Sequence, residues 1–261
     1  MLFRSQFPLP EQARQARATR RIGLGITGLG DALIMLGLGY DSDSGRRVAR
    51  EALERIRDAA YLESVVLAEE RGSFGLFERD PFLAGAYAGT LPDEIRDSIA
   101  RSGLRNSHLI AIAPTGTISL LANNVSSGIE PVYALEGERR VLNEHGVAEA
   151  HRSVDFAYAM WRESGGGALP ESFVTAADLT PDAHLQMLGA LQPLVDNSIS
   201  KTINADERIS FEDFAGVYAR AYALGLKGCT VFRPNPVRGS VLSELPAPGR
   251  VQCCSVDREG D

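Results

Sequence analysis

Pro114-Thr-Gly-Thr-Ile-Ser119 is the segment of this 261-residue chain whose residue types best suit an anion. The apolar run His108-Leu-Ile-Ala-Ile-Ala113 empties into it. A helix opening there would present unpaired backbone N–H groups, short hydroxyls and the positive end of a helix dipole, which together suit a phosphate. An ordinary turn capped by Ser or Thr uses the same residues. No lysine stands at Walker spacing after it, so a P-loop is excluded. Gly23-Leu-Gly25-Ile-Thr-Gly28 has the letters of a dinucleotide fingerprint, but Arg20-Arg21-Ile22 before it do not read as a strand, and Asp41 and Asp43 fall in a turn-like DSDSG. Close backbone packing is the preferred reading there over a nicotinamide dehydrogenase.

Ser126-Ser-Gly-Ile-Glu130-Pro131 fixes a carboxylate in extended backbone, because proline restricts the residue before it. A solvated loop Glu would look the same. Asn197-Ser-Ile-Ser-Lys-Thr-Ile-Asn204 packs Ser198, Ser200, Lys201, Thr202 and Asn204 among Ile199 and Ile203, a pattern that predicts one polar row on a strand face. On an edge strand that row meets water; inside a barrel it meets a ligand. Lys201 and Lys227 are the two lysines of a chain with 25 arginines. A compact ammonium at a tight site is not replaceable by guanidinium.

Of the three cysteines, Cys229 lies in an apolar run, Leu226-Lys-Gly-Cys-Thr-Val-Phe232, and reads as packing. Cys253 and Cys254 are adjacent in a polar tail, where they suit thiol exchange better than a disulfide with each other. His108, His145, His151 and His184 show no metal-ligand spacing, and no serine carries nucleophile-elbow glycines.

These residues need elements to position them. An Arg- and Ala-rich helix is predicted from Glu11 to Thr19, and a long amphipathic one from Val48 to Glu70, with Ala49, Leu53, Ile56, Ala60 and Leu67 as its apolar stripe. Residues 72–105 read as irregular, with a short helix after Pro92, and His108–Ala113 as a strand buried on both faces. Residues 137–169 read as loop-rich around a helix from Val154 to Glu163. Thr180-Pro181 starts a helix running to about Leu194. Ser210 and Asp213 form a capping box for another that Gly225 stops, and LKGCTVFRP reads as a last strand. Strand and helix alternating in this way predict an α/β fold with parallel strands.

Composition narrows the function classes. The hydrophobic share of 44% and mean hydropathy of −0.09 exclude a disordered or collagen-like chain. A net charge of −7 argues against a general nucleic-acid surface. No apolar run reaches the about 18 residues of a membrane span, and MLFRSQFPLP lacks the apolar core of a signal peptide. A cytoplasmic protein is expected.

Taken together, RRIGLGITGLGDALIMLG, IAPTGTISLLANNVSSGIEP, DNSISKTIN and GLKGCTVFRPN resemble the C-terminal half of the catalytic barrel of adenosylcobalamin-dependent (class II) ribonucleotide reductases. The similarity runs in order through almost the whole chain to about Leu242, so residues 1–242 are expected to be the C-terminal part of the barrel and 243–261 a Cys-containing tail. The resemblance implies a ten-stranded α/β barrel. It also implies a ribonucleoside di- or triphosphate whose phosphates rest on Pro114, Thr115, Gly116, Thr117, Ile118 and Ser119, with Glu130, Ser198, Lys201 and Asn204 as candidates for the barrel lining. Class I relatives carry two adjacent tyrosines for radical transfer where this sequence has Thr230 and Val231. A radical made locally by adenosylcobalamin fits that difference.

The resemblance also marks what this sequence lacks. The family's thiyl-radical cysteine, with the asparagine and glutamate of its loop and two reducing cysteines, matches positions upstream of Arg20, and none of Cys229, Cys253 or Cys254 corresponds to them. A half barrel exposes strand edges and apolar interior. The chain is therefore expected to act with a polypeptide carrying the N-terminal half, with a thioredoxin-like reductant restoring the dithiol. The alternative is a catalytically silent nucleotide-binding or regulatory subunit.

Overall fold

Capping residues and helical apolar spacing coincide at several places along this sequence, and a computed structural model places helices at each of them. The structure describes residues 7–142, 148–233 and 242–244. In chain order the elements begin with helices α1 (Pro10–Thr19), α2 (Leu29–Met35), α3 (Asp43–Arg71), α4 (Arg79–Leu83), α5 (Asp93–Ser102) and α6 (Gly116–Leu121). Strands β1 (Glu136–Leu142) and β2 (Ala148–Val154) precede α7 (Phe156–Glu163) and α8 (Pro181–Leu191). Strand β3 (Thr202–Asn204), α9 (Phe211–Ala223), β4 (Thr230–Phe232) and β5 (Leu242–Glu244) complete the order. No helix among the described residues is long and apolar enough to cross a membrane.

The chain forms two compact units. The first comprises the described parts of Met1–Gly25, Arg50–Ala111 and Pro193–Ser198. Within it α3 buries Leu53, Arg57, Tyr61, Ser64, Val65 and Ala68, a stripe rotated from the predicted one, which leaves Ile56 on the exposed side. On the buried stripe the Tyr61 hydroxyl donates to Asp196 at 2.7 Å, and Arg57 is paired within the helix with Asp58 at 2.7 Å. The run 108–111 is extended and parallel to residues 22–24, with Ile22 N donating to His108 O and Ala111 N to Leu24 O. Asp196 fastens its other side, accepting from the N–H groups of Leu109 (2.6 Å) and Ile110 (2.9 Å).

The second unit comprises Ile26–Ala49, Ile112–Gln192 and the described residues of Ile199–Asp261. Ile112 bridges Ile199 in parallel, and β3 pairs in parallel with β4 in the register Thr202↔Thr230, Ile203↔Val231 and Asn204↔Phe232. Helices α8 and α9 cover this small sheet through Leu185, Ile203, Val217 and Ala221, against which Cys229 and Val231 pack. Caps predicted from sequence are formed: Thr180 accepts from Ala183 N, and Ser210 from Asp213 N.

One expectation needs correcting. Residues 137–169 are not loop-rich before α7, because β1 and β2 pair antiparallel from Glu136↔Val154 to Leu142↔Ala148, with β5 on the far side of β1. Their charged sequences carry no apolar alternation; the ladder and cross-strand ion pairs such as Arg152 with Glu136 hold the hairpin. The described strands do not by themselves form a closed barrel. In the second unit they form one three-stranded antiparallel sheet and one two-stranded parallel sheet, and Ile112↔Ile199 and Val132↔Thr175 are isolated parallel bridges.

Candidate functional site

The turn predicted to hold phosphate opens α6. Its cap, Thr115, takes a left-handed backbone at φ 55° and ψ 20°, unusual for a β-branched residue. The first intrahelical bond runs from Ser119 N to Thr115 O at 2.8 Å, so the N–H groups of Gly116, Thr117 and Ile118 precede the ladder. All three residues are exposed. A Cβ added at Gly116 would meet no atom within 4 Å, which leaves open space beside these donors. Ser119 is different: its side chain is buried, with Oγ donating to Gly116 O at 2.8 Å and paired with Ser127 Oγ at 3.0 Å. Its hydroxyl braces the turn from inside.

Residues Ser126–Glu130 form the buttress behind that turn. Gly128 N donates to Thr115 Oγ1 at 2.7 Å, and Thr27 Oγ1 lies 3.0 Å from Thr115 Oγ1 while donating to Ser126 O. Gly128, at φ 54°, sits against the backbone entering the turn, where a Cβ would come within 2.8 Å of Ala113 O. Ser126 is fixed in turn, its Oγ accepting from Gly30 N at 2.9 Å and its N–H donating to the buried Asp31 at 2.6 Å. A Cβ at Gly30 would collide with Val132 N and Glu130 O, so the glycine-rich segment is filled by protein backbone, as close packing predicts.

The buttress ends in a buried polar cluster. Glu130 accepts from Lys201 Nζ at 2.5 Å and from Thr202 N at 2.6 Å. Lys201 is fully buried and also donates to His184 Nδ1 (2.9 Å) and Thr202 O (3.0 Å). Burial, and then the Lys201 charge, lower the His184 pKa to about 3, so the ring is neutral and its Nδ1 is an acceptor. Tyr40 closes the cluster, its ring 5.8 Å from Lys201 Nζ and its hydroxyl donating to Ile129 O at 2.6 Å. Burial, reinforced by the Glu130 charge, raises its pKa well above that of a free phenol.

The structure thus brings together Pro114–Ser119, Glu130 and Lys201. Lys201 does not share a row with the serines of NSISKTIN: Ile199, Lys201 and Ile203 are buried, Ser198 and Ser200 are exposed, and Thr202 and Asn204 are half-buried. Burial raises the Cys229 thiol pKa, in keeping with packing. Cys253 and Cys254 lie outside the described residues, as does His145. Sequence reasoning missed Thr27, Asp31, Tyr40 and His184 as members of the site. Thr27 and Asp31 sit within the glycine-dense segment, whose tight packing was the one signal pointing to them.

The sequence profile of the ribonucleotide reductase barrel domain matches residues 1–232. The chain belongs to the ribonucleotide reductase family. Among its relatives are a vitamin B12-dependent ribonucleoside-diphosphate reductase of Mycobacterium tuberculosis, 36% identical over 92% of this chain and 35% of that protein, and one of Thermoplasma acidophilum, 32% identical over 92% of this chain and 31% of that protein. A ribonucleoside-diphosphate reductase large chain of Encephalitozoon cuniculi is 27% identical over 90% of this chain. The chain spans about a third of the length of these three relatives. The described histidines of this ribonucleotide reductase chain do not make a built site for the cobalt of a corrin: His184 is fully buried against Lys201, His108 contacts Ser107, and His151 is exposed beside Glu149.

Proposed function

We propose that this chain is a component of an adenosylcobalamin-dependent ribonucleotide reductase, the part of the barrel that holds the substrate's phosphates on Pro114–Ser119. The carrying observation is the set of exposed N–H groups of Gly116, Thr117 and Ile118, on a turn locked by Thr27, Ser127 and Gly128. Preorganised amides of this kind bind a phosphate without being reordered. The relatives' names support the reaction class and its dependence on vitamin B12.

In that reaction the 2′-hydroxyl of a ribonucleoside di- or triphosphate leaves as water and is replaced by hydrogen, while a dithiol is oxidised to a disulfide. In the assembled enzyme adenosylcobalamin would supply the initiating radical, and no residue of this chain is assigned to hold it. This chain's own residues bind and orient: the turn amides hold the phosphates, Ser119 braces the turn, and the Ser126–Glu130 buttress fixes its height. The radical cysteine and the reducing pair come from the N-terminal half of the barrel, on the same or a separate polypeptide. A thioredoxin-like reductant restores the dithiol, and Cys253 and Cys254 are placed by sequence to relay thiol exchange.

Gly116→Val tests the reading. A Cβ added here meets no protein atom within 4 Å and stands beside the three free amides, so the melting temperature is expected to hold. Nucleotide binding should weaken by about 1.5–3 kcal/mol, the worth of charge-assisted hydrogen bonds. An unchanged Kd would sink the assignment. Binding without turnover, after the N-terminal half is supplied, would favour the silent nucleotide-binding subunit instead.

A further inference from the structure

Lys201 has the chemistry of a phosphate ligand and the position of something else. Its side chain is fully buried, and its ammonium hydrogens have acceptors at Glu130 Oε2, His184 Nδ1 and Thr202 O. No hydrogen is left to point at a bound anion. A planar guanidinium could not converge on three acceptors arranged around one point, which accounts for a lysine here in an arginine-dominated chain.

Glu130 is what Lys201 reaches. The glutamate is tied to the start of β3 by two bonds from consecutive residues, Lys201 Nζ and Thr202 N. Its own N–H donates to Ser127 O at 2.8 Å, closing a tight turn over Ser127–Glu130. The far end of that turn carries the two groups that grip the proposed phosphate loop, Gly128 N on Thr115 Oγ1 and Ser127 Oγ on Ser119 Oγ. Pro131 stiffens the link from the other side. Four residues therefore separate the β3 anchor from the phosphate turn, with a polar contact at each end.

We infer that the Lys201–Glu130 pair is a positioning device for substrate phosphate, holding the Ser127–Glu130 turn at the height that sets the amides of Gly116, Thr117 and Ile118. The inference rests on the reading of Pro114–Ser119 as the phosphate site. Neither Lys201 nor Glu130 touches the substrate; each acts through Ser127 and Gly128.

The test is a titration of the full chain with inorganic pyrophosphate, following the amide resonances of Gly116, Thr117 and Ile118. Lys201→Met and the near-isosteric Glu130→Gln are each expected to weaken binding about tenfold or more. They should also shift the ligand-free amide resonances of Thr115 and Gly128. The double variant Lys201→Met/Glu130→Gln, which leaves no unpaired carboxylate, serves if Lys201→Met alone does not fold. Val217→Ala, in the apolar cluster with Leu185, Ile203 and Ala221, lowers stability elsewhere in the same unit and should leave pyrophosphate binding unchanged. If wild type binds and the pair variants bind equally well, the positioning role is overturned while the phosphate site stands. If Val217→Ala weakens binding as much as they do, the effect is general loss of stability and the role is again overturned. If the wild-type turn amides do not respond at all, the phosphate reading itself fails and takes this inference with it.

Discussion

Thr115 concentrates the energetics of the site in one residue. Left-handed backbone at a β-branched position costs about 1–3 kcal/mol and persists only where surrounding bonds over-determine it. Here Gly128 N and Thr27 Oγ1 supply that constraint. Thr27→Val keeps the shape and removes the hydroxyl, leaving Ser126 O without its side-chain donor; a stability loss of about 1–3 kcal/mol is expected from chemical denaturation. Thr115→Ser keeps the hydroxyl and sheds the branched methyl, so it should match wild type in both melting and pyrophosphate binding. A variant that binds markedly worse would show that the methyl, and not the hydroxyl, sets the turn. The role of the PTGTIS turn is legible in the sequence because free amides at a helix start are local chemistry. That of Thr27 is not, because its partner lies 88 residues along the chain.

At the scale of elements, helix ends were readable and their burial was not. Asp155 caps α7 by accepting from Tyr158 N, and it lies buried beside Asp31, which accepts from Ala157 N at the same helix start. Burial, and then the Asp31 charge, push the Asp155 carboxyl up to about 7. An unfolded aspartate titrates near ~4. The folded state therefore holds a proton that the unfolded chain releases in between. This stabilisation is fully present below about pH 4 and is lost as pH rises through about 7. Asp155→Asn keeps the cap oxygen and removes the titration. Its melting temperature should vary less than that of wild type between about pH 5 and pH 8, with the largest gain over wild type at the alkaline end. An identical pH dependence in the variant would refute the raised Asp155 pKa. The same contrast holds at β3: the NSISKTIN alternation announced a strand, yet Lys201 takes the buried parity with Ile199 and Ile203 because Glu130 and His184 satisfy its charge there.

For the whole molecule, the decisive feature is apolar surface left uncovered. Leu121 is 87% exposed, and Ile118, Phe211 and Tyr222 are also exposed, although the chain belongs to a family defined by a barrel. Ile118 and Leu121 are three residues apart on α6, and Phe211 and Tyr222 are eleven apart on α9, so each pair shares a helix face that meets solvent, and apolar faces of this kind favour association. Sedimentation velocity of the chain by itself should show concentration-dependent self-association. Adding a polypeptide that carries the N-terminal half of the barrel should suppress it and raise the melting temperature, since a partner that binds only the folded state stabilises it by mass action. A melting temperature unmoved by that polypeptide would count against the assembly.

By itself the sequence determined the parts whose causes are local. These are the helix starts at Thr180 and Ser210, the turn that opens α6, and the four blocks that carry the resemblance to ribonucleotide reductase. Tertiary structure alone decided which way side chains face and what meets across long separations. Ser119 turned out to brace the turn, Lys201 to be buried as an anchor, and charged residues 136–154 to pair as a hairpin. The physical reason is the same in each case. A cap or an apolar stripe is specified by neighbours a few residues away, whereas the cost of burying a hydroxyl or an ammonium is met only by partners that folding brings from elsewhere in the chain.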